Sequence, residues 1–191
     1  MKLYFNKPSP YARKVRVVAH EKQLVHRIDW QEVDPWADPP ALLAATPLGK
    51  VPALVTDDGM LITESTTIAE YLDSVGSGTS LLAGHRLEVL SRTALAQGLI
   101  DAAFGLVIEQ RRPAERQSTD WLDRLRRAVG RTLPRIAVEP ERFDLGDIST
   151  ACALAYLDFR LPEIPWRGEH PPLAAWLDRV NQRHSMIATR A

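Results

Sequence analysis

Apolar positions follow two rhythms along this chain. Up to about residue 75, short apolar runs alternate with stretches in which apolar residues recur every three or four positions; beyond residue 86 only the second rhythm continues. Residues 2–5 (KLYF) read as a short strand. Pro10 suits the first turn of a helix, where its missing N–H is harmless. Over residues 11–22, Val15, Val17 and Val18 stand against Arg13, Lys14, Arg16 and Glu21, the pattern of an amphipathic helix. Residues 26–33 read as a second strand, with Ile28, Trp30 and Val33 as its apolar members. A proline-rich stretch follows, then a short helix over 40–45 that Thr46-Pro47-Leu48-Gly49 breaks. Two strand-like runs, 53–56 and 60–63, are joined by Asp57-Asp58-Gly59, a hairpin signal because its glycine tolerates the positive φ of a tight turn. A helix is predicted over 65–75, where IAEYL has helical spacing.

The predicted order is β-α-β-α-β-β-α, the thioredoxin-like arrangement of a mixed sheet covered by helices. Gly76-Ser77-Gly78-Thr79-Ser80 then marks a boundary. Beyond it, helices are predicted over 86–112, 118–138, 143–159 and 173–183, with Pro113 ending the first and Pro134 kinking or shortening the second. The run ISTACALAYL is almost uniformly apolar and marks the third as the buried central helix. The expected domains are therefore a thioredoxin-like unit over 1–76, a linker over 77–85 and an all-helical unit over 86–191.

Charge and cysteine content narrow the function classes. Lys plus Arg and Asp plus Glu are both 24, so the net charge is zero and nothing advertises nucleic acid or an acidic membrane surface. The single cysteine, Cys152, lies in the apolar central helix and packs there as a small hydrophobe. With no CxxC, dithiol redox chemistry is unsupported. No metal site is predicted. The N-terminus lacks the apolar core of a signal peptide and no apolar run reaches transmembrane length, so a soluble cytoplasmic protein is expected.

The chemistry concentrates around the hairpin. Val51-Pro52 precedes it, and a proline opening a strand is awkward unless the chain turns sharply, as a cis bond allows. Glu64-Ser65-Thr66-Thr67 follows it and opens a helix whose first N–H groups, with the Ser65 hydroxyl, suit a carboxylate or phosphate. Pro-Leu-Gly-Lys-Val-Pro, then a hairpin, then Glu-Ser resembles the glutathione site of the cytosolic glutathione S-transferases, and the likeness extends over nearly the whole chain. Ser9 in Ser-Pro-Tyr-Ala-Arg-Lys-Val-Arg resembles the catalytic serine of bacterial serine-type members.

The resemblance implies glutathione as co-substrate. Ser65 and the Thr66 amide would hold the γ-glutamyl carboxylate and Glu64 its amino group. Val51 would pair its backbone with the cysteinyl unit along an edge shaped by Pro52. Lys50 either reaches the glycyl carboxylate or stays solvated. Tyr11, Trp36, Phe104 and Ile108 are candidates to line an apolar acceptor pocket, although core packing explains Phe104 and Ile108 equally well. Asp101 matches an acidic position that in many members serves the neighbouring subunit's site; an exposed helix face explains it as well. The resemblance further implies a homodimer, with Arg92 or neighbouring arginines near the interface, and a detoxification role. A non-catalytic glutathione-binding protein, or a specialised lyase, isomerase or dehalogenase, would carry the same features.

Ser9 fits a definite physical need. A free thiol has a pKa near 8.5, and lowering it by about two units takes roughly 2.7 kcal/mol. A hydrogen bond to a charged sulfur contributes about 1.5–3 kcal/mol and a helix N-terminus roughly 0.3–1. A plain N-cap is the competing role for Ser9, and Tyr4 and Asn6 are rival thiol activators. A second motif, Phe143-Asp144-Leu145-Gly146-Asp147-Ile148, looks like the family's capping box and hydrophobic staple, with Asp144 as cap and Asp147 bonding back to it.

Overall fold

β1 (Lys2–Phe5) is an inner strand of a four-stranded sheet ordered β2-β1-β3-β4. The computed structural model describes residues 1–191. β2 (Asp29–Glu32) pairs with β1 in parallel, which requires a crossover, and α1 (Pro10–Glu21) supplies it. β3 (Ala53–Val55) runs antiparallel to β1, and β4 (Leu61–Thr63) antiparallel to β3. α2 (Pro40–Ala45) and α3 (Ser65–Val75) complete the expected thioredoxin-like arrangement.

The differences from expectation have local causes. β2 starts late because Val25–Arg27 close a 3-10 turn. The hairpin strands are shorter because Thr56 is drawn into the turn, where its Oγ1 accepts from the Met60 amide at 2.9 Å. Lys14 and Arg16, placed by periodicity on the wet side of α1, are buried. Arg16 lies over the Phe5 ring, 5.1 Å from its centroid, and donates to the Thr189 carbonyl at 3.3 Å. Periodicity shows only one apolar stripe; it does not show that other chain segments cover the opposite face.

The second unit, His85–Gln182, is all-helical. It contains α4 (Arg86–Gln110), α5 (Thr119–Thr132), α6 (Leu145–Arg160), α7 (Trp166–Glu169) and α8 (Pro171–Val180). α6 packs against α4 and is buried continuously from Leu145 to Leu154, as its composition predicts. α5 ends at Thr132, short of the expected 138, because Pro134 sits in a 3-10 turn over Leu133–Arg135. The short α7 is an addition to the sequence reading; buried Trp166 anchors it by donating from Nε1 to Asp158 Oδ1 at 2.8 Å. No helix is long and apolar enough to cross a membrane.

The start of α6 is a complete capping box. Asp144 accepts from the amides of Gly146 at 2.9 Å and Asp147 at 3.2 Å, while Asp147 accepts from the Asp144 amide at 3.2 Å. Two arginines close over it. Arg92 of α4 bonds to Asp144 and, at 3.2 Å, to Asp147; Arg142 reaches Asp147 at 3.0 Å. Arg92 thereby ties α4 to the α6 cap.

The expected linker and last helix both need correction. Residues up to Gly84 belong to the first unit, and so do the last residues, Arg183–Ala191. Ser77 donates its amide to the Lys22 carbonyl at 3.0 Å, and a Cβ on Gly76 would lie 2.5 Å from Lys22 Cβ, so only glycine allows this approach. The buried Lys22 ammonium is 3.0 Å from Asp73 Oδ1 and also bonds to the carbonyls of Gly78 and Thr79. Burial pushes the Asp73 carboxyl up, but the Ser80 hydroxyl, the Leu81 amide and Lys22 outweigh it and hold it below the usual aspartate range. At the other end of the chain, α8 stops at Val180 and a separate α9 (His184–Ala188) packs on α1. Glu21 accepts from Arg183 at 2.8 Å and Ser185 at 2.5 Å, and Arg13 donates to the Met186 carbonyl at 3.2 Å.

Candidate active site

Register places the candidate residues. Tyr4 is opposite Ala53, and Ala53 is opposite Thr63. The segments that continue from these positions therefore emerge at one end of the sheet: Asn6–Ser9 after β1, Val51-Pro52 before β3, and Glu64-Ser65-Thr66 after β4. Phe5 is opposite Glu32, which brings the chain leading to Trp36 to the same end. The Val51-Pro52 peptide is cis, as the sequence suggested.

Ser9 is the N-cap of α1, with Oγ accepting from the Ala12 amide at 3.2 Å. Capping uses a lone pair of the hydroxyl and leaves its proton for donation, so the two roles considered for Ser9 are compatible. The rivals are engaged differently. Tyr4 is a core side chain packed with Leu42 and Ala53. Asn6 donates from Nδ2 to the Val33 carbonyl at 2.9 Å and fixes the loop, while its own carbonyl accepts the Ser9 amide at 3.1 Å.

The α3 start carries an internal carboxylate. Glu64, at φ 70°, is its N-cap and accepts from the Thr66 amide at 2.8 Å and the Ser65 hydroxyl at 3.2 Å. The two donors expected for a ligand carboxylate thus already converge on one carboxylate group. Beneath them, fully buried Lys14 donates from Nζ to Thr66 Oγ1 at 3.0 Å. Sequence reasoning missed Lys14 because helical periodicity put it among the solvated charges; the Lys-to-Thr bond spans 52 residues of sequence. Lys50 is exposed and Val51 half-buried beside Pro52.

The acceptor-pocket candidates divide between the units. Tyr11 is half-buried in the first turn of α1, and Trp36 is 66% exposed in a 3-10 turn over Pro35–Ala37. Phe104 and Ile108 lie one turn apart on α4, both half-buried. Asp101 is exposed on α4 and accepts from Gln97 at 3.1 Å. Cys152 is a buried free thiol inside α6. A depression of about 530 Å³ opens elsewhere in the first unit, lined by Lys2, Tyr4, Asp29, Val55 and Asp57 among others. None of residues 50–52 or 64–66 borders it, so it is separate from the candidate residues around Ser9, Val51 and Ser65.

A thioredoxin-like unit carrying a cis-proline and a Glu-Ser helix start, followed by an all-helical unit, defines the glutathione transferase fold. Residues 8–75 match the glutathione S-transferase N-terminal domain and residues 119–179 the glutathione S-transferase C-terminal domain. The GST-like protein YibF of Escherichia coli (strain K12) is 32% identical over 199 residues, covering 99% of this chain and 98% of its own. A glutathione transferase family member from Pseudomonas fluorescens Pf-5, solved with bound glutathione, superposes with a TM-score of 0.93 at 40% identity, over 99% of this chain and 98% of that one. A second structure from that organism, with bound S-(propanoic acid)-glutathione, gives 0.89 at 39% identity, over 100% and 98% of the two chains. The chain belongs to the glutathione S-transferase family.

Proposed function

We propose that this protein is a serine-type glutathione transferase that activates the thiol of glutathione for attack on a small apolar electrophile. The observation that carries the reading is the Ser9 hydroxyl at the α1 N-terminus, on the same end of the sheet as Val51-Pro52 and Ser65-Thr66. The Ser65 hydroxyl and Thr66 amide take the γ-glutamyl carboxylate, and Glu64 turns from these donors to the ligand's ammonium. Val51 pairs its backbone with the cysteinyl unit beside Pro52, and Lys50 reaches toward the glycyl carboxylate. The thiol proton leaves to water. Ser9 donates its O–H to the remaining thiolate, and the dipole of α1 adds to its stabilisation. The sulfur then forms a bond to the electrophilic carbon as the leaving group departs or the neighbouring carbon takes up a proton.

Tyr11, in the first turn of α1, and Trp36, which follows β2 at the same end of the sheet as Ser9, are the acceptor-contacting candidates of the first unit. The Pseudomonas neighbour with S-(propanoic acid)-glutathione supports this class of reaction, because that ligand is a thioether of the kind thiolate attack produces. A homodimer working in the cytoplasm in detoxification fits the same reading.

Ultraviolet titration of bound glutathione tests the thiol step. Ser9→Ala raises the thiol pKa by about one to two units, the equivalent of one lost charged hydrogen bond. Turnover at pH 7 falls about tenfold or more and recovers partly at high pH. Identical titration curves in the two proteins would remove Ser9 from the mechanism. Glutathione binding with no turnover on any electrophile would make the protein a glutathione-binding module instead.

A further inference from the structure

We propose that Lys14 is a positioning residue for glutathione: a buried cation that secures the γ-glutamyl carboxylate through the start of α3. The inference rests on the glutathione reading above. Lys14 has no exposed surface, which is rare for a lysine and costly unless polar or anionic groups compensate it. Its ammonium donates to Thr66 Oγ1 at 3.0 Å. Thr66 also supplies one of the two donors that converge on a carboxylate in this structure, its amide at 2.8 Å from Glu64 Oε2; the Ser65 hydroxyl, at 3.2 Å from Glu64 Oε1, is the other. The cation therefore lies one threonine side chain behind the seat of a carboxylate.

That placement answers a need peculiar to this site. When glutathione binds, its α-carboxylate takes the seat while the Glu64 carboxylate stays beside it, so two negative charges share one helix terminus. The α3 dipole amounts to only about half a positive charge. The ligand's ammonium is drawn to Glu64, and the second carboxylate needs another positive source. Lys14 supplies a full charge from the protein side, away from water, where screening is weak. Lys50 does not serve here, because it is exposed and precedes Val51 on another segment.

The test compares two ligands on two proteins by calorimetry: glutathione, and 4-aminobutyryl-cysteinyl-glycine, which keeps the amino group and thiol but lacks the γ-glutamyl α-carboxylate. Wild type prefers glutathione. Lys14→Met loses about tenfold in glutathione affinity but less than about twofold for the analogue, because a charge–charge contribution disappears only where both charges were present. Lys14→Arg, which keeps the charge, restores much of the preference. Equal weakening for both ligands, or no weakening for either, would make Lys14 a packing residue and overturn the proposal. A wild type that does not distinguish the ligands would instead show that the carboxylate is not seated at Ser65-Thr66, so the underlying reading fails and the proposal with it. If Lys14→Met does not fold, Lys14→Gln gives the same neutral comparison with a side chain that can still bond Thr66.

Discussion

At the scale of single residues, Ser9 shows how one hydroxyl serves two purposes. Its lone pair takes the Ala12 amide at 3.2 Å, and its proton remains for a thiolate. Ser9→Asp separates the purposes. Aspartate caps a helix as well as serine does, so thermal stability stays within about 0.5 kcal/mol of wild type. A carboxylate cannot donate, however, and it repels a thiolate, so the bound thiol pKa rises further than in Ser9→Ala. Thermal melts paired with thiolate titration check both halves; a melting loss in Ser9→Asp as large as in Ser9→Ala would deny the capping role. Ser65 is 2% exposed and shares the carboxylate seat with the Thr66 amide. Ser65→Ala weakens glutathione binding by about 1–3 kcal/mol if that hydroxyl meets a charged carboxylate. An unchanged dissociation constant in calorimetry would place the carboxylate elsewhere.

Among the elements, the start of α6 is where the sequence reading is most usefully enlarged. The capping box was legible from the Asp144 and Asp147 spacing, and loss of such a cap costs roughly 0.5–2 kcal/mol. The fold adds Arg92 and Arg142, so Asp147, 1% exposed, is also the buried partner of two guanidinium groups. Asp147→Ala takes an acceptor from both guanidinium groups, which keep Asp144 as a partner, and is therefore expected to cost more than the cap alone, about 2–4 kcal/mol. Urea unfolding measures it; a loss confined to the range of a cap would mean that the arginines relax into solvent without penalty. Nothing in the local sequence pointed to Arg92 as a partner of the cap, because it lies 55 residues away from Asp147.

For the molecule as a whole, the first unit is closed by two chain segments that return to α1, each through a carboxylate held below its ordinary pKa. Asp73 fixes residues up to Leu81 through Lys22, the Ser80 hydroxyl and the Leu81 amide. Burial pushes Glu21 up, but the Arg183 and Ser185 hydrogen bonds bring it down overall. A carboxylate whose folded pKa is depressed contributes stability that is fully present above its unfolded pKa and is lost as pH falls through the folded value. Stability should therefore hold from neutrality to about pH 5 and then decline through the carboxylate range. Urea midpoints of wild type and Asp73→Asn between pH 7 and pH 3 test this. The variant is less stable at neutral pH and loses less on acidification, whereas parallel curves would show that Asp73 has no part in the acid transition.

What the sequence determined by itself was everything carried by neighbours along the chain. Proline positions, the Asp57-Asp58-Gly59 turn, the apolar run of α6 and the Glu64-Ser65 helix start are local chemistry, and they gave the β-α-β-α-β-β-α order and the family resemblance. Only the tertiary structure decided which charges are buried and which segments close each unit. Lys14, Arg16 and Lys22 look like solvated helix charges in sequence, yet each meets a group from a distant segment: Thr66, Thr189 and Asp73. The last residues follow a predicted helix in the chain but fold with the first unit, through Glu21, Arg183 and Ser185. Periodicity reports the face a helix needs to bury; it carries no record of what long-range packing brings to the other face.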